Sequence, residues 1–222
     1  MPMNRREISE AVGPLGWRLV LGAVYTEVLA PSMADAVAAA SHAVHAAGRD
    51  ASGHLSIDIR ADRAVLRLRT HDAHTVTERD LALAREVSGA LAARGFEQSA
   101  GAGAIQAMEI AIDALDIGAV RPFWKAVTGY VDEPGNEDLN AGLVDPFGRG
   151  PAIWFQQMDA PRPQRNRIHL DIDVTHDAAQ ARVDAAMAAG GILLSDRVAP
   201  RFWVLADVEG NEACICTWQG RD

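Results

Sequence analysis

From residue 105 onward the sequence runs through one order of elements twice, and few folds accommodate such a pattern. Residues 105–113 read as a strand. Val120, Phe123, Trp124 and Val127 recur at helical spacing, and Gly129 closes that stripe. Strand patterns follow at 130–133, 139–144 and 152–157, the last two joined by a turn rich in Pro and Gly at 145–151. The order then returns: a strand at 167–174, a helix at 178–189 with Val183, Ala186 and Met187 on its apolar side, and Gly190-Gly191 as its stop. Strands at 192–195, 202–206 and 212–218 complete it, with a turn at 207–211. The sequence therefore predicts a strand–helix–three-strand unit used twice.

The strand at 167–174 separates two chemistries. Ile168, Leu170, Ile172 and Val174 fall on one face, and Arg167, His169, Asp171 and Asp173 on the other. An apolar face packs on a core, which leaves the ionisable face to line a cleft or to meet water. Trp154 and Phe155 point to opposite sides of their strand, so one of them is available to the same cleft. Arg162, Arg165 and Arg167 form a small basic patch ahead of the central strand. It suits an anionic ligand or a solvated loop.

The first hundred residues follow a different plan. A short helix at 4–12 precedes strands at 17–21 and 23–29. Ser32 is the N-cap candidate of a helix whose apolar stripe is Met33, Val37, Ala40, Val44 and Ala47, ended by Gly48. Strands at 55–60 and 64–70 flank a turn at 61–63. Thr77-Glu78-Arg79-Asp80 is a capping variant at the head of a second helix, with Leu81, Ala84, Val87 and Leu91 inward and Gly95 as its stop. Helices on one face of a small antiparallel sheet make this an α+β domain. The small-residue run at 98–104 reads as a linker, giving domains at 1–98 and 104–222. Its glycines are no dinucleotide fingerprint, because no strand leads in and the third glycine is missing.

Composition narrows the partners. The 222 residues are 49% hydrophobic with a formal net charge of −9, which argues against nucleic acid or an anionic membrane as the main partner. No run approaches the roughly 20 apolar residues of a membrane span. No secretory pattern is visible in residues 1–13, and Cys214 and Cys216, two apart on one strand, are badly placed to pair with each other. A cytoplasmic, reduced protein is expected.

The first domain resembles the pterin-4a-carbinolamine dehydratase family. Gly53-His54-Leu55-Ser56, Ile57-Asp58-Ile59-Arg60, Thr70-His71-Asp72 and the helix opening at Thr77 carry the likeness. The family has two adjacent histidines followed by Pro and Asp, and a later Thr-His pair. Here His54 stands for the second of the pair and His71 for the later one, while Gly53 replaces the first. Leu55 and Ser56 replace the Pro and Asp, and His74 falls in what is usually a glycine-rich turn. The resemblance implies loss of water from a 4a-hydroxytetrahydropterin, with His54 and His71 as the acid–base pair, and a homodimer built through the sheet and helices. The alternative is a domain kept for dimerisation or ligand binding.

The second domain resembles the vicinal oxygen chelate superfamily, closest to its glyoxalase-like branch. Phe123-Trp124, Gly129-Tyr130, residues 145–157, residues 167–171 and Ala206 to Glu212 carry the likeness. The expected fold is a duplicated βαβββ domain. The resemblance puts Glu109, Trp154, His169 and Asp171 in the ligand cleft. It puts metal ligands at Glu109, His169 and Cys214, with Glu212 two residues from the last on the same face. Such a set suits a divalent metal, Zn²⁺ or Fe²⁺. Alternatively Glu109 and His169 pair as acid and imidazole in the cleft wall, and Cys214 is a small buried hydrophobe. The whole chain then reads as a small-molecule lyase acting on a pterin, with an appended ligand-binding domain. The alternative is a glyoxalase- or bleomycin-resistance-like enzyme, or a small-ligand binding protein, working through the second cleft.

Overall fold

The structure, a computed structural model, describes residues 3–100, 105–134, 141–162, 164, 166 and 168–220. Its contacts divide into two units, Met1–Ala107 and Met108–Asp222.

The first unit opens with α1 (Arg5–Val12), where Asn4 and Glu7 form a capping box. Strands β1 (Arg18–Val20) and β2 (Ala23–Leu29) lead to α2 (Met33–Ala47), capped by Ser32. A single turn, α3 (Ala51–His54), runs straight into β3 (Leu55–Ile59), and β4 (Arg63–Leu68) returns antiparallel to it. Helix α4 (Glu78–Ala92) follows, then β5 (Gln98–Ser99). The sheet order is β1-β2-β4-β3, with β5 also pairing β2. Alternation on β4 sends Ala64, Leu66 and Leu68 into the core and Arg63, Val65 and Arg67 to the opposite face. Trp17 is fully buried, and its Nε1–H donates to Ser88 Oγ on α4 at 2.9 Å.

Two expectations change here. The buried stripe of α2 is Ala36, Ala39, Ala40, Ala43 and Ala47, while Met33, Val37 and Val44 are about half exposed. Small side chains let α2 lie close against the sheet and α4, and the bulkier residues are turned outward. The run taken as a linker begins as a strand, since Gln98 and Ser99 pair with Val28 and Glu27; residues 101–104 lie outside the described residues.

The second unit contains β6 (Glu109–Ala114), α5 (Ile117–Thr128), β7 (Val131–Asp132), β8 (Leu143–Val144) and β9 (Ala152–Gln157). The same series repeats as β10 (Leu170–Asp173), α6 (Ala179–Ala188), β11 (Ile192–Ser195), β12 (Phe202–Ala206) and β13 (Glu212–Cys216). The sheet orders are β6-β9-β8-β7 and β10-β13-β12-β11, so in each the first strand pairs parallel with the last. The duplicated βαβββ plan is therefore present. Residues 139–140 of the expected second strand lie outside the described residues, as do Arg165 and Arg167 of the basic patch.

One core serves both repeats. Phe123 and Trp124 from α5 are buried in it with Val183, Leu205 and Ile215 from the second repeat. Met187, placed inward by periodicity, is 42% exposed, because Ala179, Val183 and Ala186 form the buried face of α6. The turn after β12 ties the repeats together. Glu209 accepts from the backbone N–H of Leu115 and Asp116, and Asp207 accepts from Trp124 Nε1 at 3.0 Å.

Gly191 is a point of close packing in this core. A Cβ there would come within 2.6 Å of the Phe123 ring and 2.7 Å of the Ala186 carbonyl. Gly191→Ala is expected to destabilise the second unit by about 1–3 kcal/mol in denaturant unfolding. Gly89→Ala on α4, where the space is open, is expected to be neutral or stabilising by up to about 1 kcal/mol.

Candidate functional site

In the first unit the site grows from a carboxylate. Asp80 is the third residue of α4 and is fully buried. Its Oδ2 accepts from Thr77 N–H at 2.7 Å, Thr70 N–H at 3.1 Å, Thr70 Oγ1–H at 2.8 Å and Thr77 Oγ1–H at 3.0 Å. Its Oδ1 lies 2.8 Å from Nδ1 of His54. The carboxylate thus caps its own helix, closes the loop between β4 and α4, and holds an imidazole. Because Asp80 is an acceptor on each of these contacts, His54 carries its proton on Nδ1 and keeps Nε2 for other chemistry.

His54 ends α3 at the mouth of β3, with its side chain 16% exposed. His71 is tied to the same strand end, since its N–H donates to the Gly53 carbonyl at 2.9 Å. The structure brings the two predicted histidines into electrostatic reach of one another. Burial lowers the His71 pKa, and the Arg67 and Arg69 charges lower it further, so the ring is neutral at pH 7. A third imidazole, His74, stands in the same loop at φ +48°, and Thr70 pairs with Thr75 across it. Burial, with the Arg69 and Arg67 charges, depresses His74 to about 4. Sequence reasoning read Asp80 only as a capping residue. His42, on α2, packs at a tilt against the Phe96 ring.

In the second unit the residues gather around β10 and β13. Register places Asp171 beside Cys214. His169 Nε2 lies 3.3 Å from Asp171 Oδ1, and one donor atom each from His169, Asp171 and Cys214 falls within 4.8 Å of the others. Glu109, at the start of β6, stands outside this trio, so the acid beside His169 is Asp171. The corresponding register on β6 and β9 sets Ala111 beside Trp154, which occupies in the first repeat the place Cys214 holds in the second. Trp154 is 41% exposed and Phe155 is buried, so the tryptophan belongs to the open face. Burial and the neighbouring Asp171 charge push the Cys214 thiol up to about 12. Alongside lies a cavity of about 740 Å³, walled by His169, Asp113, Trp124, Arg162, Asn166 and Glu212 among others. That volume suits a small organic ligand. Glu109, Trp154 and Asp171 are not in its wall.

The comparisons with known proteins agree with this division. The pterin 4 alpha carbinolamine dehydratase family matches residues 1–90, and the glyoxalase-like domain family matches residues 109–216. The chain is a pterin-4a-carbinolamine-dehydratase-like domain joined to a glyoxalase-like domain. Among solved structures, a glyoxalase/bleomycin resistance protein/dioxygenase family enzyme from Burkholderia phytofirmans PsJN is 24% identical, with a TM-score of 0.40 over 49% of this chain and 95% of that one. A glyoxalase-related enzyme from Fulvimarina pelagi is 16% identical, with a TM-score of 0.41 over 50% and 87%. A fosfomycin resistance protein from Listeria monocytogenes, complexed with Mn(II) and sulfate, is 11% identical, with a TM-score of 0.39 over 49% and 86%. No curated protein matches the chain significantly. Among the described residues no helix is long and apolar enough to cross a membrane.

Two measurements check the dehydratase-like site. Asp80→Asn replaces an acceptor of five hydrogen bonds and is expected to destabilise the first unit by about 2–4 kcal/mol in denaturant unfolding. A change under about 0.5 kcal/mol would show that the carboxylate does not organise the loop. His74 binds its proton less readily folded than unfolded, so stability is full above the unfolded value of about 6.5 and falls as pH drops towards about 4. His74→Asn, which keeps the left-handed backbone accessible, is expected to flatten that slope between pH 6.5 and 4.

Proposed function

We propose that the dehydratase-like domain binds a reduced pterin and removes water from its 4a-hydroxy form. The observation that carries this reading is the buried Asp80 holding His54 beside a neutral His71. In the dehydration the ring N5–H proton goes to a base, the C4a–O bond breaks with its electron pair leaving on oxygen, and a second proton completes the departing water. A C4a=N5 double bond remains. His71 takes the base role, since its depressed pKa keeps the ring unprotonated near neutrality. His54 is the acid, and Asp80 supplies the counter-charge that an imidazolium there requires. The missing first histidine, replaced by Gly53, leaves this pair to do the work.

The glyoxalase-like domain, on our reading, takes a second small ligand in the cavity beside His169. A divalent metal fits the trio of His169, Asp171 and Cys214, because imidazole, carboxylate and thiolate together satisfy Zn²⁺ or Fe²⁺ and leave a coordination position open. Such an ion would supply Lewis-acid chemistry to a ligand in the neighbouring cavity. A cytoplasmic homodimer is the setting we propose, supported by Cys214 and Cys216, both buried and not joined as a disulfide, and by the exposed Met33, Val37 and Val44 on α2.

Calorimetric titration with a 7,8-dihydropterin tests the first reading. Saturable binding that His54→Ala and His71→Ala each weaken at least about tenfold is expected; no heat at millimolar ligand would sink it. For the metal, Co²⁺ is expected to give a thiolate-to-metal absorption band that Cys214→Ser abolishes. Because the thiol must lose a proton first, Co²⁺ affinity is expected to rise about tenfold per pH unit near neutrality. A pH-independent affinity would place the ion elsewhere.

A further inference from the structure

On the outer face of the first sheet, Arg67 has no acid in its own row. Arg67 lies in one row with Ser56 on β3 and Tyr25 on β2. The ladder runs past the end of β4, where Arg69 N–H donates to the His54 carbonyl and His71 N–H to the Gly53 carbonyl. Alternation therefore puts Arg67, Arg69 and His71 on the same side. The acids one row away are already matched, Glu27 by Arg63 and Asp58 by Arg60. Asp72, in the loop itself, is exposed.

Nε of Arg67 and Nδ1 of His74 are buried with no hydrogen-bond partner among the described residues. Folded proteins seldom leave such groups unanswered, and those that persist call for an external partner or a function. His74 is held inward by an uncommon left-handed backbone, against the β1–β2 turn, where a Cβ on Gly22 would sit 3.6 Å from the His74 carbonyl. The charges of Arg67 and Arg69 reach both His71 and His74, and no carboxylate of the described residues is among the charges acting on either ring. A guanidinium fork beside an imidazole N–H donor is the chemistry that binds an oxyanion.

We propose that Arg67 and His74, next to His71, form a subsite for an anionic group, phosphate or carboxylate, on the side chain of the reduced pterin. This rests on the reading of the domain as a pterin site. The substrate class is then a pterin with a charged side chain, its ring at His54 and His71 and its anion at Arg67.

The test compares three ligands by calorimetry on the full chain at fixed ionic strength. They are a 7,8-dihydropterin with a neutral dihydroxyalkyl side chain, its phosphate monoester, and an analogue ending in a carboxylate. At least one anionic ligand is expected to bind about tenfold or more tighter than the neutral one. A preference for the ester alone identifies phosphate, for the carboxylate alone a carboxylate, and for both a general oxyanion subsite. The ratio should fall towards one in Arg67→Leu, fall part of the way in Arg67→Lys, and drop in His74→Asn, with circular dichroism checking that each variant is folded. Equal affinities in the wild type, or a preference that survives Arg67→Leu, would overturn the proposal. If no pterin binds, the pterin reading has failed separately, and inorganic phosphate alone decides the subsite. Phosphate binding that Arg67→Leu removes upholds it, and no phosphate binding overturns it.

Discussion

A single buried carboxylate organises the first domain's chemistry. Asp80 has no exposure to water, so its two oxygens must be satisfied from within, and the donors that do so come from three places. Thr77 belongs to the helix cap, Thr70 to the end of β4, and His54 to the turn before β3. Satisfying the carboxylate thereby fixes the loop that carries His71 and His74 and sets the tautomer of His54. Burying a charge is costly unless it is richly hydrogen-bonded, and Asp80 is. Position of the loop and orientation of the imidazole are one physical event.

The second domain depends on a different constraint, the sharing of one apolar core by two repeats. Apolar residues of both repeats form one buried cluster, and Phe123 and Trp124 of α5 lie in it with residues of the second repeat. The 207–211 turn of the second repeat hydrogen-bonds to the start of α5 in the first. Once paired, the repeats are free to differ on their open faces. Register gives the first repeat Ala111 and Trp154 where the second has Asp171 and Cys214, so the donor trio belongs to one repeat only.

Much of this was legible in the sequence because its signals are local. The α4 stripe, the cap residues Ser32 and Thr77, and the repeated strand–helix–three-strand order all depend on neighbours a few positions apart. The α2 stripe departs from its periodicity because size decides there: methionine and valine are the more hydrophobic residues, yet the buried face of α2, which packs on α4 and the sheet, is all alanine. The second task of Asp80 was hidden because its partner His54 lies 26 residues away and no periodicity links them. Asp171 was read as a cleft residue but not as the acid of His169. The two lie on one face of one strand, and the link to Cys214 appears only with the parallel β10–β13 register.

Turnover is the sharpest test of dehydration by the histidine pair anchored on Asp80. A 4a-hydroxytetrahydropterin loses water spontaneously, so stopped-flow absorbance can compare its decay with and without the protein. An acceleration is expected that falls at least about a hundredfold in His54→Ala and in His71→Ala. A wild-type protein that binds the pterin yet leaves its decay at the spontaneous rate would rule out catalysis by this pair. It would make the first domain a binding module instead.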